Sequence, residues 1–174
     1  APRYCRLARV IRDISSGDIV AGNRISNFRE VAERSLRARG EQPCEIRARE
    51  IKLTRVTDAE EVNLRVTTYA TSVSSERFIE LVTPADQLLG FCRLSLPGAS
   101  GFIPEIADSA LIRELHVYGA SLALGQAPGD NAQHQGYGKR LLAEAQQLAR
   151  VHGFRDLAVI SAVGTREYYR ARSF

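Results

Sequence analysis

A chain of 174 residues suffices for one domain of ordinary size with an appended segment. With 44% hydrophobic and 25% charged residues it has the composition of a soluble globular protein; no apolar run reaches the ~18–20 residues that a membrane helix needs, and no leader-like apolar stretch opens it, so a cytoplasmic, membrane-free protein is expected. The net charge of +4 comes mostly from arginine, and Cys5, Cys44 and Cys92 are too few and too scattered for a zinc ribbon or a disulfide framework.

The arginines crowd the first part of the chain: Arg3, Arg6, Arg9, Arg12, Arg24, Arg29, Arg34, Arg37, Arg39, Arg47 and Arg49. Guanidinium groups pair bidentately with phosphate and stack on bases, so this segment is either an RNA-facing surface or a solvated basic one. Residues 1–22 read as extended, with a loop at Ser15-Ser16-Gly17-Asp18. A helix is expected from Asn27 to Arg39, where Phe28, Val31, Ala32 and Leu36 share a face and Gly40 provides a stop. Glu41-Gln42-Pro43 is a loop that divides a basic segment, 1–44, from the main domain, 45–174.

From Glu45 to Pro97 the pattern is that of strands. Val62, Leu64, Val66, Thr68 and Ala70 alternate with polar residues, the period of a half-buried strand. Phe78–Val82 and Leu88–Leu94 are two further strand-length runs, punctuated by Pro84 and Pro97. After a loop, Ala110–Tyr118 is a strand ending at Gly119, and a long polar loop follows to Gln133. A helix runs from Gly136 to His152 with Leu141, Leu142, Ala145, Leu148 and Ala149 as its buried stripe and Gly153 as its stop. Leu157–Ile160 is a short apolar strand, and a second helix starts near Gly164-Thr165 and carries Tyr168 and Tyr169. The order predicts an α/β (α+β) fold with a mixed sheet flanked by helices.

The segment Gln133-His134-Gln135-Gly136-Tyr137-Gly138-Lys139 opens the long helix. Glycines there let a phosphate approach the unpaired backbone N–H groups, and the helix dipole favours its charge; Lys139 and Arg140 add positive charge. A pyrophosphate-bearing ligand suits such a site. The spacing matches neither the dinucleotide fingerprint nor a P-loop.

Gln-x-x-Gly-x-Gly between such a strand and helix is similar to the pyrophosphate-binding core of GNAT acetyltransferases. Longer wording narrows this. Ile112-Arg113-Glu114-Leu115-His116-Val117-Tyr118-Gly119, the Gln133–Gly138 segment and Ala158–Arg170 together resemble the acetyltransferase domain of the catalytic subunit of Elongator and its prokaryotic homologues. Arg9–Ile14 resembles that family's stretch joining its radical-SAM and acetyltransferase domains. The resemblance implies a GNAT-like mixed sheet and acetyl-CoA-dependent modification of wobble uridine in tRNA, the acetyl group supplying a carboxymethyl-type fragment at C5. Partners implied are tRNA, acetyl-CoA and the radical-SAM domain of the same parent chain; S-adenosylmethionine and a [4Fe-4S] cluster belong to that absent domain. Protein lysine acetylation and a non-catalytic acetyl-CoA- or tRNA-binding module are the alternatives.

By the same resemblance, Glu114, Leu115, His116 and Val117 offer a strand edge to the pantetheine arm, and Gln133, His134, Gln135, Gly136, Tyr137, Gly138 and Lys139 wrap the pyrophosphate. His134 is either a donor or a loop residue. Tyr169, with Tyr168 as the alternative, donates a proton to the leaving thiolate, unless both are packing aromatics. Glu114 is either a base or a backbone-pairing carboxylate. Some wording departs from the family. Ser161-Ala162-Val163-Gly164 stands for Ser-Gly-Val-Gly, and Arg172-Ser173-Phe174 stands for Leu-Gly-aromatic. A last strand is expected to be missing after Phe174, and a chain opening on Ala1 is expected to be a fragment or processed piece. A cysteine/histidine cluster of many relatives is matched only by Cys44, so no metal is expected.

Overall fold

The computed structural model describes residues 1–8, 15–25, 27–51, 61–98, 103–118 and 136–174. The chain divides into two compact units, Ala1–Arg49 and Glu50–Phe174, a few residues beyond the division that the Glu41–Pro43 loop marks in the sequence.

The first unit holds a 3-10 turn at Ser16–Asp18, helix α1 (Phe28–Ala38) and a short helix α2 (Ile46–Arg49). Helix α1 ends where expected: Gly40 takes φ +75°, a conformation costly for any residue with a Cβ. Its predicted apolar face is only half-buried. The strand pattern expected from Glu45 is corrected, because Ile46–Arg49 forms a helical turn. Its polar ends have specific partners. Glu45 accepts hydrogen bonds from the backbone N–H groups of Leu7 (3.0 Å) and Arg47 (3.0 Å) and pairs with the Arg29 guanidinium. Burial opposes the Glu45 charge, but these donors outweigh it and hold the carboxyl below its usual value. Arg47 Nη1 donates to the Ala8 carbonyl (2.7 Å), and Arg49 donates to the carbonyls of Cys44 (2.8 Å) and Arg3 (3.2 Å). Arg29, Arg47 and Arg49 thus tie the unit together and are not part of a free basic surface.

The second unit is a five-stranded mixed sheet in the order β1-β2-β3-β4-β5, with β1 at Asn63–Ala70, β2 at Ser74–Val82, β3 at Leu88–Pro97, β4 at Ala110–Val117 and β5 at Leu157–Val159. The first four strands form an antiparallel meander; β5 lies parallel to β4, reached through helix α3 (Tyr137–Val151). Helix α4 (Arg166–Arg170) follows a 3-10 turn at Val163–Thr165. The alternation in β1 is only partly one of burial: Val62 and Val66 are half-buried, while Leu64, Thr68 and Ala70 are more open to solvent. Among the described residues β1 is an edge strand, with a neighbour on one side only. Strand β2 starts four residues earlier than its apolar run, because pairing on both sides carries polar Ser74–Arg77 into the sheet. Glu76 is buried there; its Oε1 accepts from Ser74 Oγ (2.7 Å) and Arg113 Nη1 (3.1 Å).

Leu141, Leu142, Ala145 and Ala149 of α3 pack on Ile79, Leu81, Cys92, Leu94 and Ile112, with Leu148 half-buried at the margin. Fully burying one such side chain is worth about 1.5–3 kcal/mol, so this stripe fixes α3, and hence its N-terminus, against β3 and β4. Burial and the nearby Glu114 carboxylate push the Cys92 thiol up to about 12. Ellman's reagent at pH 8 is therefore expected to titrate exposed Cys44 in the native protein and to reach Cys92 only after denaturation; a rapidly reacting Cys92 would show that the core opens.

Candidate functional site

Strand β5 accompanies β4 only at Ala110, Leu111 and Ile112, and the last backbone bond between the two segments runs from Ile160 N–H to the Ile112 carbonyl (3.0 Å). Beyond it, Arg113–Val117 has no β5 partner among the described residues, and its backbone edge is left open. The register explains the parting. Arg93 pairs with Glu114 but Leu94 with Ile112, so Arg113 is an extra residue in β4. A bulge of this kind bends its strand and increases the local twist. At the other end of this section, opposite Val117, Gly90 keeps β3 close, since a methyl group there would lie 2.7 Å from the His116 carbonyl oxygen.

The start of α3 lies beside the far end of this edge. Gly136 caps the helix with φ +77°. The first intrahelical bond runs from Arg140 N–H to the Gly136 carbonyl (3.1 Å), so the N–H groups of Tyr137, Gly138 and Lys139 precede the helix ladder. Gly138 needs its missing side chain for space: a methyl group there would overlap the Tyr168 hydroxyl and lie 3.8 Å from Val117 Cγ2. Lys139 and Arg140 are exposed, though Arg140 Nη2 also donates to the Val62 carbonyl (3.3 Å). The Tyr137 side chain is buried in the core. Gln133, His134 and Gln135 lie outside the described residues.

Tyr168 and Tyr169 meet edge to face at 5.3 Å but serve different places. Tyr168 directs its hydroxyl at Gly138. The Arg172 guanidinium lies 3.6 Å above the Tyr168 ring and donates to the Tyr168 carbonyl (2.6 Å), which holds that ring in place. Tyr169 is buried in the core cluster with Cys92, the β3 residue opposite Leu115. Burial, with Cys92 and Tyr168 adding to it, raises its hydroxyl above the usual phenol value, which keeps it protonated. Glu114 is engaged by both oxygens: His116 Nε2 lies 2.9 Å from Oε1 and Arg93 Nε 2.7 Å from Oε2. The His116 hydrogen bond, then Arg93, overcome burial and lower the carboxyl to about 2. A carboxylate so held is a poor proton acceptor at neutral pH. The open edge thus carries Glu114, Leu115, His116 and Val117, with Gly136, Gly138 and Tyr168 at its far end, while Tyr169 lies in the core cluster with Cys92. The bulge at Arg113, the Arg93 partner of Glu114 and the Arg172 stack were not legible, since each depends on pairing or packing that no local pattern signals.

No protein-family model matches the chain. It is 39% identical over 181 residues to a protein of Dehalococcoides mccartyi named tRNA uridine(34) acetyltransferase, covering 99% of this chain and 39% of that protein. It is 34% identical over 175 residues to Elongator complex protein 3 of Dictyostelium discoideum, covering 97% of this chain and 31% of that one. Among solved structures, the archaeal Methanocaldococcus infernus Elp3 superposes with a TM-score of 0.83 at 30% identity, over 99% of this chain and 42% of that one. The chain therefore spans less than half the length of each of these three. Over nearly its whole length, then, the chain is homologous to a part of proteins named tRNA uridine(34) acetyltransferase and Elongator complex protein 3, and it is folded like the corresponding part of the archaeal Elp3.

Proposed function

We propose that the chain binds acetyl-CoA along the open edge of β4 and presents its acetyl group for modification of the wobble uridine of tRNA. The observation that carries this is the opening of β4 from Arg113 to Val117 beside a helix that starts at a left-handed glycine. An extended amide-bearing arm pairs with such an edge as an added strand does. A diphosphate suits the N–H groups of the first turn of α3, where Gly138 leaves room for close approach. The arm then runs back along β4, which brings the thioester toward Leu115, Cys92 of the neighbouring strand β3 and Tyr169 of α4. Tyr168 serves the diphosphate end and Tyr169 the thioester end. Attaching a carbon fragment at C5 of the base further needs radical chemistry from S-adenosylmethionine and a [4Fe-4S] cluster, which we assign to a separate domain of the parent chain.

Calorimetric titration with acetyl-CoA and an assay of thiol release, each with and without tRNA, test this reading. Acetyl-CoA binding with RNA-stimulated release supports it. Release only with a lysine peptide would turn the reading toward protein acetylation, and binding without release toward a docking module.

The basic first unit is assigned to tRNA. With Arg29, Arg47 and Arg49 occupied internally, the exposed Arg24, Arg34, Arg37 and Arg39 are the residues to test. Replacing all four by glutamine should weaken tRNA binding and flatten the log K against log salt plot by roughly 0.7–0.9 for each phosphate that is no longer neutralised. An unaltered slope would make those arginines a solvated surface.

A further inference from the structure

Side chains alternate across a strand, so Glu114 and His116 share one face of β4 while Leu115 and Val117 share the other. The charged and titratable groups of that first face are Arg113, Glu114 and Tyr118 at β4, Arg93 of β3, Glu76 and Glu80 of β2, and Arg65 and Tyr69 of β1. They fall into order around Glu114. Arg93 Nη1 reaches the Tyr69 hydroxyl (3.2 Å), and its guanidinium rests over the rings of Phe78 and Phe91 at 5.2 and 5.4 Å. Thus fixed, Arg93 holds one oxygen of Glu114, and the other oxygen faces His116 Nε2. An ionised carboxylate only accepts hydrogen bonds, so the proton of this contact sits on Nε2 and the lone pair of the neutral ring is on Nδ1. Phe91 at 5.2 Å and Tyr118 at 6.3 Å flank the ring, yet 42% of the side chain is exposed. Carboxylate, imidazole and a bare ring nitrogen are the parts of a base with its orienting partner. They stand on the section of β4 that has lost its β5 neighbour.

We propose that His116 is the general base of this site and that Glu114 is its positioning residue. The inference rests on the acetyl-CoA reading above. An arm that leaves the first turn of α3 near Val117 and runs toward Ile112 passes His116 before it ends. Water, the simplest acceptor, adds through oxygen to the thioester carbonyl carbon while His116 Nδ1 takes its proton. The C–S bond then breaks, and the thiolate takes the proton of the Tyr169 hydroxyl. The imidazolium proton returns to the tyrosinate through solvent. The balance is thioester plus water to acetic acid plus thiol, with no oxidant or reductant involved. Glu114 stays ionised throughout and stabilises the imidazolium; its own proton affinity is too low for it to be the acceptor.

The test uses the whole chain, with acetyl-CoA as probe and tRNA present. His116→Gln should lower thiol release by about 10²–10⁴-fold, the usual contribution of a general base, while calorimetry shows acetyl-CoA affinity within about twofold of the parent, an uncertainty below 0.5 kcal/mol. Glu114→Gln should lower release by a smaller factor. A second readout is independent of turnover: nitrogen-15 spectra of neutral His116 should show the Nε2-protonated tautomer in the parent and lose that preference in Glu114→Gln, which a merely structural carboxylate would not produce. Parent-rate release by His116→Gln with affinity intact would overturn the assignment and leave the acetyl-CoA reading standing. An Nδ1-protonated ring in the parent would also overturn it. Absence of acetyl-CoA binding by the parent would overturn both.

Discussion

Gly138→Glu is expected to leave the protein folded and to lower its affinity for acetyl-CoA by about a thousandfold or more, roughly 4 kcal/mol. Two physical effects act together. The new Cβ has no room, because the Tyr168 hydroxyl lies against the glycine and the Arg172 guanidinium holds the Tyr168 ring from the other side. The new carboxylate also sits in the first turn of α3, where it occupies the same dipole and N–H groups that would receive a diphosphate, and it repels that diphosphate. Acid in the first turn favours the helix itself, so thermal stability should change far less than binding. Gly138→Ala isolates the steric part. Its loss should be smaller and should be relieved in the double variant Gly138→Ala/Tyr168→Phe, which removes the overlapping hydroxyl. Calorimetric titration, with circular dichroism melts as the folding control, checks the series. Parent-like affinity in folded Gly138→Glu would remove the diphosphate from this helix.

Tyr169→Phe should slow thiol release by about 10²–10⁴-fold, the range of general-acid help, with acetyl-CoA affinity nearly unchanged. The substitution deletes one oxygen and keeps the ring that packs on Phe174 (5.9 Å) and Tyr168 (5.3 Å). Burial favours the protonated hydroxyl, so the group remains a donor across the neutral range and its loss should not be masked by ionisation. Tyr168→Phe should show the opposite signature, weaker binding with a smaller effect on release from the bound state, because its hydroxyl lies at Gly138 and not at Cys92. Single-turnover release from saturated protein separates the two variants. If Tyr168→Phe alone slowed release, the roles of the pair would be exchanged; if neither did, both are packing residues.

The amino-acid pattern by itself settled the elements whose period is local. The stripe Leu141, Leu142, Ala145, Leu148 and Ala149 specifies α3, and Gly136, Gly138 and Gly153 mark its start and stop, because helical spacing and the need for a positive φ or close approach are properties of a few neighbouring residues. Val62–Ala70, Phe78–Val82, Leu88–Leu94 and Ala110–Tyr118 likewise announced four strands, each within a few residues of its place. The same wording carried the resemblance to the relatives that the chain matches. What the pattern withheld was everything set by pairing across distance. Nothing near Ser74 says that β2 begins there; its partners in β1 and β3 decide it. Tyr168 and Tyr169 are adjacent and alike in sequence, and only the packing of α4 sends one hydroxyl to Gly138 and the other residue into the core beside Cys92. Glu45 reads as an ordinary acid, and Glu114 as either a base or a backbone-pairing carboxylate, until Arg29 and Arg93, 16 and 21 residues away, are brought to them. Register is the physical reason. A step of one residue between β3 and β4 moves every later side chain to the other face. The extra residue at Arg113 therefore determines which face Glu114 and His116 share, the one that carries Arg93 and Phe91, and it falls where β5 parts from β4 and the edge opens.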